Sequence, residues 1–208
     1  MSKVVLITGA SSGIGLSIAN FLLEKGCVVY GTSRSTKKAA NYDFNLIALD
    51  VLNVETIQEA ISLILKKEGK LDVLVNNAGM GITGPIEDTP TSEMRKVFDT
   101  NLFGAIDVMK AVLPQMRKQN SGTIINVTSI AGYMGLPFRG IYSATKGALE
   151  LVTEATRMEV KNFGIDIVNV APGDFATNIA AGRYHTPVFE ESAYKKVYEE
   201  NLALMDSH

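Results

Sequence analysis

The chain has a single cysteine, Cys27, so no internal disulfide can form and no cysteine cluster is available to hold zinc. Its setting in the apolar run Cys27-Val28-Val29-Tyr30 suits a small buried side chain better than a reactive thiol. Positive charge is not in surplus: 20 Lys and Arg stand against 22 Asp and Glu, a formal net charge of -2, which offers little to nucleic acid or an anionic membrane surface. Long apolar runs are missing too. No segment approaches the roughly 18 apolar residues of a membrane span. The amino terminus passes into a strand-like run at Val4 without the charged start, apolar core and cleavage site of a leader peptide. These absences predict a cytoplasmic protein that calls for no metal. The 208 residues, 46% hydrophobic and 20% charged, suffice for one well-buried core, so one domain over residues 1–208 is expected.

Two kinds of segment alternate along the chain. Short runs rich in β-formers at Val4 to Thr8, Val28 to Thr32, Leu46 to Leu49, Val73 to Val75, Thr123 to Val127 and Ile165 to Val170 are mostly apolar on both faces, as parallel strands under helices are. Between them lie helical stretches near Ile14 to Lys25, Val54 to Lys67, Ser92 to Arg117 and Ile141 to Asn162, with Ser12, Asn53 and Thr91 placed to cap. Strand and helix repeated with short connections predict right-handed crossovers: an α/β, Rossmann-type, doubly wound parallel sheet with helices on both faces.

The stretch TGASSGIG, Thr8 to Gly15, joins the first strand to the first helix. Amide donors at a helix start face outward there, which makes an anion site. Gly9 can turn without steric penalty, Gly13 lets backbone approach a pyrophosphate, and Gly15 lets the helix lie close on the sheet. Ser11 and Ser12 add hydroxyl donors. A second constellation lies in NVTSIAGYMGLPFRGIYSATKGALE: Tyr142 and Lys146 are four apart at a helix start and share a face. A phenol is a poor base at neutral pH, and an ammonium one turn away favours the phenolate. Ser129 follows a strand end, where it can hydrogen-bond a substrate oxygen and stabilise an alkoxide.

Together these segments resemble the short-chain dehydrogenase/reductase family, from Lys3 to about Thr177. The family's glycine turn appears as Thr8 to Gly15, its N-N-A-G as Asn76-Asn77-Ala78-Gly79, its active-site Asn as Asn101 in DTNLFG, its Ser as Ser129, its Y-x-x-x-K as Tyr142 and Lys146, and its P-G as Pro172-Gly173. The resemblance implies an oxidoreductase that moves hydride between a nicotinamide dinucleotide and a carbonyl or secondary alcohol. Tyr142 is then general acid and base, Lys146 lowers its pKa and binds the nicotinamide ribose, Ser129 holds the substrate oxygen, and Asn101 anchors a relay water or kinks its helix, or both. Gly9, Ser11, Ser12, Gly13, Ile14 and Gly15 would hold the cofactor's phosphates. Asp50 and Val51 would meet adenine, with Asp50 alternatively a turn residue leading into a helix. Asn77, Ala78 and Gly79 would line the groove, and Pro172, Gly173 and Thr177 the nicotinamide.

PGDFATNIAAGRYHTP resembles the branch acting on retinoid, steroid or other apolar alcohols and ketones. Met80, Met134, Leu136, Phe138 and Phe175 then suggest an apolar small-molecule substrate, with His185 either a substrate contact or a solvated loop residue. Family members usually continue to a seventh strand and a final helix. Here the last readable element, near Glu190 to Met205, is polar and helical, so the expectation is a truncated or incompletely represented chain with a substrate-lid region over residues 174–208. A regulator or scaffold that keeps the fold without turnover is the alternative. The second strand ends in Ser33 and Arg34 rather than a carboxylate, and Lys37 and Lys38 follow, which predicts NADP in preference to NAD. Ser12 speaks against this, since many NADP-preferring relatives carry a basic residue there. Apolar residues nearly all round the stretch Val97 to Met116 predict a homo-oligomer.

Overall fold

The computed structural model describes residues 2–37, 39–173 and 182–206. In chain order the elements are β1 (Val4–Ile7), α1 (Gly13–Glu24), β2 (Val28–Ser33), β3 (Asn45–Ala48), α2 (Val54–Glu68), β4 (Val73–Asn76), β5 (Ile82–Thr83), α3 (Thr91–Phe98), α4 (Gly104–Gln119), β6 (Gly122–Val127), α5 (Gly140–Val160), β7 (Ile165–Val170), β8 (Tyr184–His185) and α6 (Lys195–Asp206). Six strands form one parallel sheet in the order β3-β2-β1-β4-β6-β7, and β5 pairs separately with β8. The order reverses at β1, whose neighbours are β2 on one side and β4 on the other. Such a reversal opens a crevice at the carboxyl ends of the strands.

Alternation along the strands divides the core between the two faces. Val5, Ile7, Val29, Val75 and Val127 pack with Leu16, Ala19 and Leu22 of α1. Val4, Leu6, Leu74, Ile124 and Ile167 pack on the other face with Ile57 and Ile64 of α2, Val108 and Val112 of α4 and Val160 of α5. Strands buried this way are apolar throughout, and all four β1 residues are buried. The α1 face is less fully covered. Beside α1, among the described residues, a groove of about 1020 Å³ is walled by Val73, Val75, Ile125, Val127 and Val170 of the sheet and by Phe21 and Leu22 of the helix. β7 is the edge strand there, and its Val168 and Val170 are exposed.

The expected strands and helices fall within a few residues of the observed ones, with three differences. The stretch expected as one helix from Ser92 to Arg117 is α3 and α4 separated by a π-helical turn, Asp99–Phe103. Ser12 stands at the N-cap of α1 but makes no capping bond, and Thr91 is the first residue of α3 behind an N-cap Pro90. Asn53 does cap α2, accepting from the amides of Glu55 at 2.9 Å and Thr56 at 3.3 Å. The final helix starts at Lys195 rather than near Glu190. Cys27 is partly buried against the α1 face of the core. No helix among the described residues is long and apolar enough to cross a membrane.

Candidate active site

The carboxyl ends of β1, β2, β3, β4 and β6 open into one cleft of about 520 Å³. At its centre lies the glycine turn. Gly9 and Gly13 hold φ of 67° and 56°, values that favour glycine, and a Cβ on Gly9 would sit 3.0 Å from the Cα of Ala78. Gly15 does not line the cleft. A Cβ there would lie 2.5 Å from both Asn77 Nδ2 and the Gly9 carbonyl, so its lack of a side chain lets α1 approach the sheet. Two threonines that the sequence reading named but gave no role hold the turn: Thr8 Oγ1 accepts from the amides of Asn77 and Ala78 at 3.0 Å, and Thr32 Oγ1 from Gly9 N at 3.3 Å. Tyr42 adds a bond from its hydroxyl to the Ser11 carbonyl at 3.0 Å. Because Ser12 leaves α1 without a side-chain cap, the first-turn amide donors stay available beside Ser11, Ser12, Gly13 and Ile14, all of which line the cleft.

On one flank β2 and β3 bring Ser33, Arg34, Asp50 and Val51 into the wall. Asp50 also structures its own turn, Oδ1 accepting from Leu52 N at 3.0 Å. Val51 is buried where α4 begins, and a Cβ on Gly104 would meet it at 2.8 Å. Asn77, Ala78, Gly79 and Met80 follow β4 along the floor. On the other flank stand Ser129, Tyr142, Lys146, Pro172 and Gly173. Ser129 caps a short 3-10 turn, its Oγ accepting from Ala131 N at 3.2 Å, which leaves the hydroxyl proton to donate elsewhere. Tyr142 and Lys146 are 6% and 4% exposed, and Lys146 Nζ lies 5.9 Å from the phenol ring centroid.

Lys146 is the most perturbed group of the cleft: burial pulls its pKa down from 10.5 to about 8. Its Nζ donates to the Val127 carbonyl at 2.8 Å. That is one acceptor for three protons. A Cβ on Gly79 would come 3.7 Å from Nζ, so the bare backbone there keeps the ammonium open to the cleft.

Asn101 is brought near these groups but does not line the cleft. At 1% exposure its Oδ1 accepts from Met80 N at 2.8 Å, and its Nδ2 donates to Met80 O at 2.9 Å and Thr145 Oγ1 at 3.2 Å. The π turn that carries it thus ties the loop after β4 to α5, next to Lys146. Of the apolar residues expected near the substrate, Met80 lines the cleft and Leu136 packs in a cluster with Tyr142, Ile82 and Ala131. Phe138 faces the ring of Tyr198 at 5.2 Å instead, Met134 is exposed, and His185 lies in β8 opposite Thr83, outside the cleft. Phe175 and Thr177 lie outside the described residues. Two arginines went unnoticed in the sequence: Arg139 and Arg183 both line the cleft. Arg139 could have been found by its spacing, three residues before Tyr142 on the same helical face.

A parallel sheet that reverses at β1 and a glycine turn feeding an uncapped helix define a dinucleotide-binding α/β protein, and a tyrosine and a lysine one turn apart lie in the wall of its cleft. The short chain dehydrogenase family matches residues 3–187. The chain belongs to that family of oxidoreductases, which bind a nicotinamide cofactor. It is 44% identical over 181 residues to a 3-ketodihydrosphingosine reductase of Bacteroides thetaiotaomicron, covering 87% of this chain and 67% of that protein. It is also 39% identical over 188 residues to human retinol dehydrogenase 8, covering 84% and 60%. Among solved structures, a short-chain dehydrogenase from Streptomyces avermitilis matches with a TM-score of 0.89 at 37% identity, over 100% of this chain and 79% of that one. ElxO with NADP bound matches at 0.82 and 36%, over 88% and 79%; NAD+-bound xylitol dehydrogenase matches at 0.78 and 31%, over 82% and 70%. The relationship is thus to short-chain dehydrogenases of the retinol and steroid dehydrogenase kind.

Proposed function

We propose that the protein is an NADP(H)-dependent carbonyl reductase or secondary alcohol dehydrogenase in which Tyr142 is general acid in reduction and general base in oxidation. The observation that carries this reading is the pair on α5, phenol and ammonium buried together in the wall of the cleft. The cleft suits a dinucleotide. Gly9, Ser11, Ser12, Gly13 and Ile14 would hold its phosphates at the uncapped start of α1, with Gly15 keeping that helix close; Asp50 and Val51 would take the adenine and Asn77 to Gly79 the central groove. Pro172, Gly173 and Thr177 would hold the nicotinamide, and the two protons of Lys146 that lack an acceptor would meet the adjoining ribose. Bound there, the cofactor supplies hydride to a carbonyl carbon or accepts it from an alcohol.

In the reducing direction the Ser129 hydroxyl donates to the carbonyl oxygen and Tyr142 gives that oxygen its proton; in oxidation Tyr142 takes the proton back. Lys146, its Nζ 5.9 Å from the centre of the phenol ring, would supply positive charge to the phenolate as the proton leaves. Both amide protons and one lone pair of Asn101 Oδ1 are taken by Met80 and Thr145, so any part in relaying a proton to Lys146 falls to its main-chain groups or the remaining Oδ1 lone pair. Ser33 and Arg34, without a carboxylate at the end of β2, support a 2′-phosphate and hence NADP, in keeping with the NADP that ElxO carries. Residues 174–208 would form the substrate lid: Gly182 and Arg183 line the cleft, and the following segment is tied down by Tyr198 Oη to the Thr83 carbonyl at 3.1 Å and by Ser192 Oγ to Asp88. Phe103 on the π turn and Leu151 and Met158 on α5 are exposed, which supports a homo-oligomer joined through these helices.

The test is a screen of NADPH oxidation over aldehydes and ketones of increasing apolar size, with Tyr142→Phe beside the unmodified chain. The substitution should lower turnover by about 10²- to 10⁴-fold while cofactor affinity stays within a few fold. Full activity in Tyr142→Phe overturns the assignment; cofactor binding without turnover of any substrate favours a regulator or scaffold.

A further inference from the structure

Arg139 precedes α5 by one residue, and its guanidinium carbon stands 5.4 Å from the ring centroid of Tyr142. It lines the cleft, yet its Nε is sealed from solvent and has no hydrogen-bond partner. No ion pair of the described residues includes it. A buried N–H of a charged group without an acceptor is a standing penalty that folded proteins rarely retain without a use. No side chain caps α5 either, and its first turn carries no acidic residue.

Phosphates held at the glycine turn and Arg34 would lie elsewhere in the cleft. The glycine turn follows β1 and Arg34 follows β2, whereas Arg139 sits on the far flank with β6 and α5. From β6 there are two strand spacings to β1, roughly 10 Å, and three to β2, roughly 14 Å. Among the described residues, the one carboxylate lining the cleft, Asp50, follows β3 at the opposite edge of the sheet. Tyr142 packs in an apolar cluster with Met80, Leu136, Ile82 and Ala131, of which Met80 lines the cleft together with the polar Ser129 and Lys146.

We infer that Arg139 is a specificity residue that grips an oxyanion, carboxylate or phosphate, on a substrate whose remaining body is apolar. This rests on the oxidoreductase reading of the same cleft and names the substrate class within it: an anionic ketone or alcohol, its oxyanion held by the planar guanidinium while its carbonyl lies at Tyr142 and Ser129.

The experiment measures binding of three probes to the full chain by calorimetry: heptanoate, heptyl phosphate and heptan-1-ol. At least one anion should bind on the order of 10- to 100-fold more tightly than the alcohol. The preference should collapse in Arg139→Gln and return in part in Arg139→Lys, and the anion with the larger loss identifies carboxylate or phosphate. Absence of any anion preference in the unmodified chain, or an unchanged preference in Arg139→Gln, overturns the inference. A parallel assay of NADPH oxidation uses 4-oxononanoate and its methyl ester. Intact Arg139-dependent anion binding with neither compound reduced defeats the oxidoreductase reading and leaves the oxyanion site; equal reduction of both without such binding defeats the site and leaves the reading.

Discussion

Lys146 keeps its ammonium in the interior against a large desolvation penalty, and that penalty is measurable as stability. Burial lowers its pKa from 10.5 to about 8, which corresponds to roughly 3 kcal/mol of destabilisation while the group is charged. The sign follows from proton counting. Between about pH 8 and 10.5 the unfolded chain holds a proton on this lysine that the folded chain has released, so stability rises with pH across that window. Below about pH 8 both states are charged and the cost is present in full. Lys146→Met removes the titration altogether. It also leaves the Val127 carbonyl without its donor, about 1–3 kcal/mol against the variant, but this loss does not depend on pH. The difference in unfolding free energy between the cofactor-free unmodified protein and Lys146→Met should therefore shift by about 2 kcal/mol in favour of the unmodified protein between pH 7 and 9.5. Urea denaturation of both proteins at the two pH values reads it directly. A difference that stays constant within about 0.5 kcal/mol means that Lys146 is not a desolvated ammonium.

Other expectations are simpler to state. Titrated by fluorescence, NADPH should bind more tightly than NADH; Arg34→Ala should weaken NADPH alone and Ser33→Asp should move the preference toward NADH, while equal or tighter NADH binding by the unmodified chain removes the NADP assignment. Gly15→Ala forces a Cβ to within 2.5 Å of the Gly9 carbonyl and Asn77 Nδ2, so it should distort the phosphate turn, lowering the melting temperature and cofactor affinity together; an unchanged affinity contradicts the close approach of α1. Sedimentation at micromolar concentration should report at least a dimer, and Met158→Asp on the exposed face of α5 should shift it toward monomer.

What the sequence disclosed and what it withheld follow from the range of the interactions involved. Strands buried on both faces write their position as apolar runs, which is why β1 coincides with its expected limits in all but one residue, whereas β7 is buried on one face only, through Ile165 and Ile167, and is marked by their alternation. The glycine turn was legible for a similar reason, since positive φ at Gly9 and Gly13 restricts composition locally. Asn101 is the opposite case. Its π turn depends on partners 21 and 44 residues away, Met80 and Thr145, and the apolar periodicity of the stretch from Ser92 to Arg117 runs through it with only the asparagine to mark a break. The uncapped start of α1 was misjudged because Ser12 has the composition of a cap but not its hydrogen bond, and the absence of that bond leaves the helix donors for a phosphate. Arg139 combines both difficulties. Its spacing to Tyr142 is local and could be counted, but the missing partner for its Nε is a property of the packed interior. Motifs therefore marked the candidate pair Tyr142 and Lys146, while the unpartnered Nε of Arg139 emerges only when each buried polar atom is asked where its hydrogen bond goes.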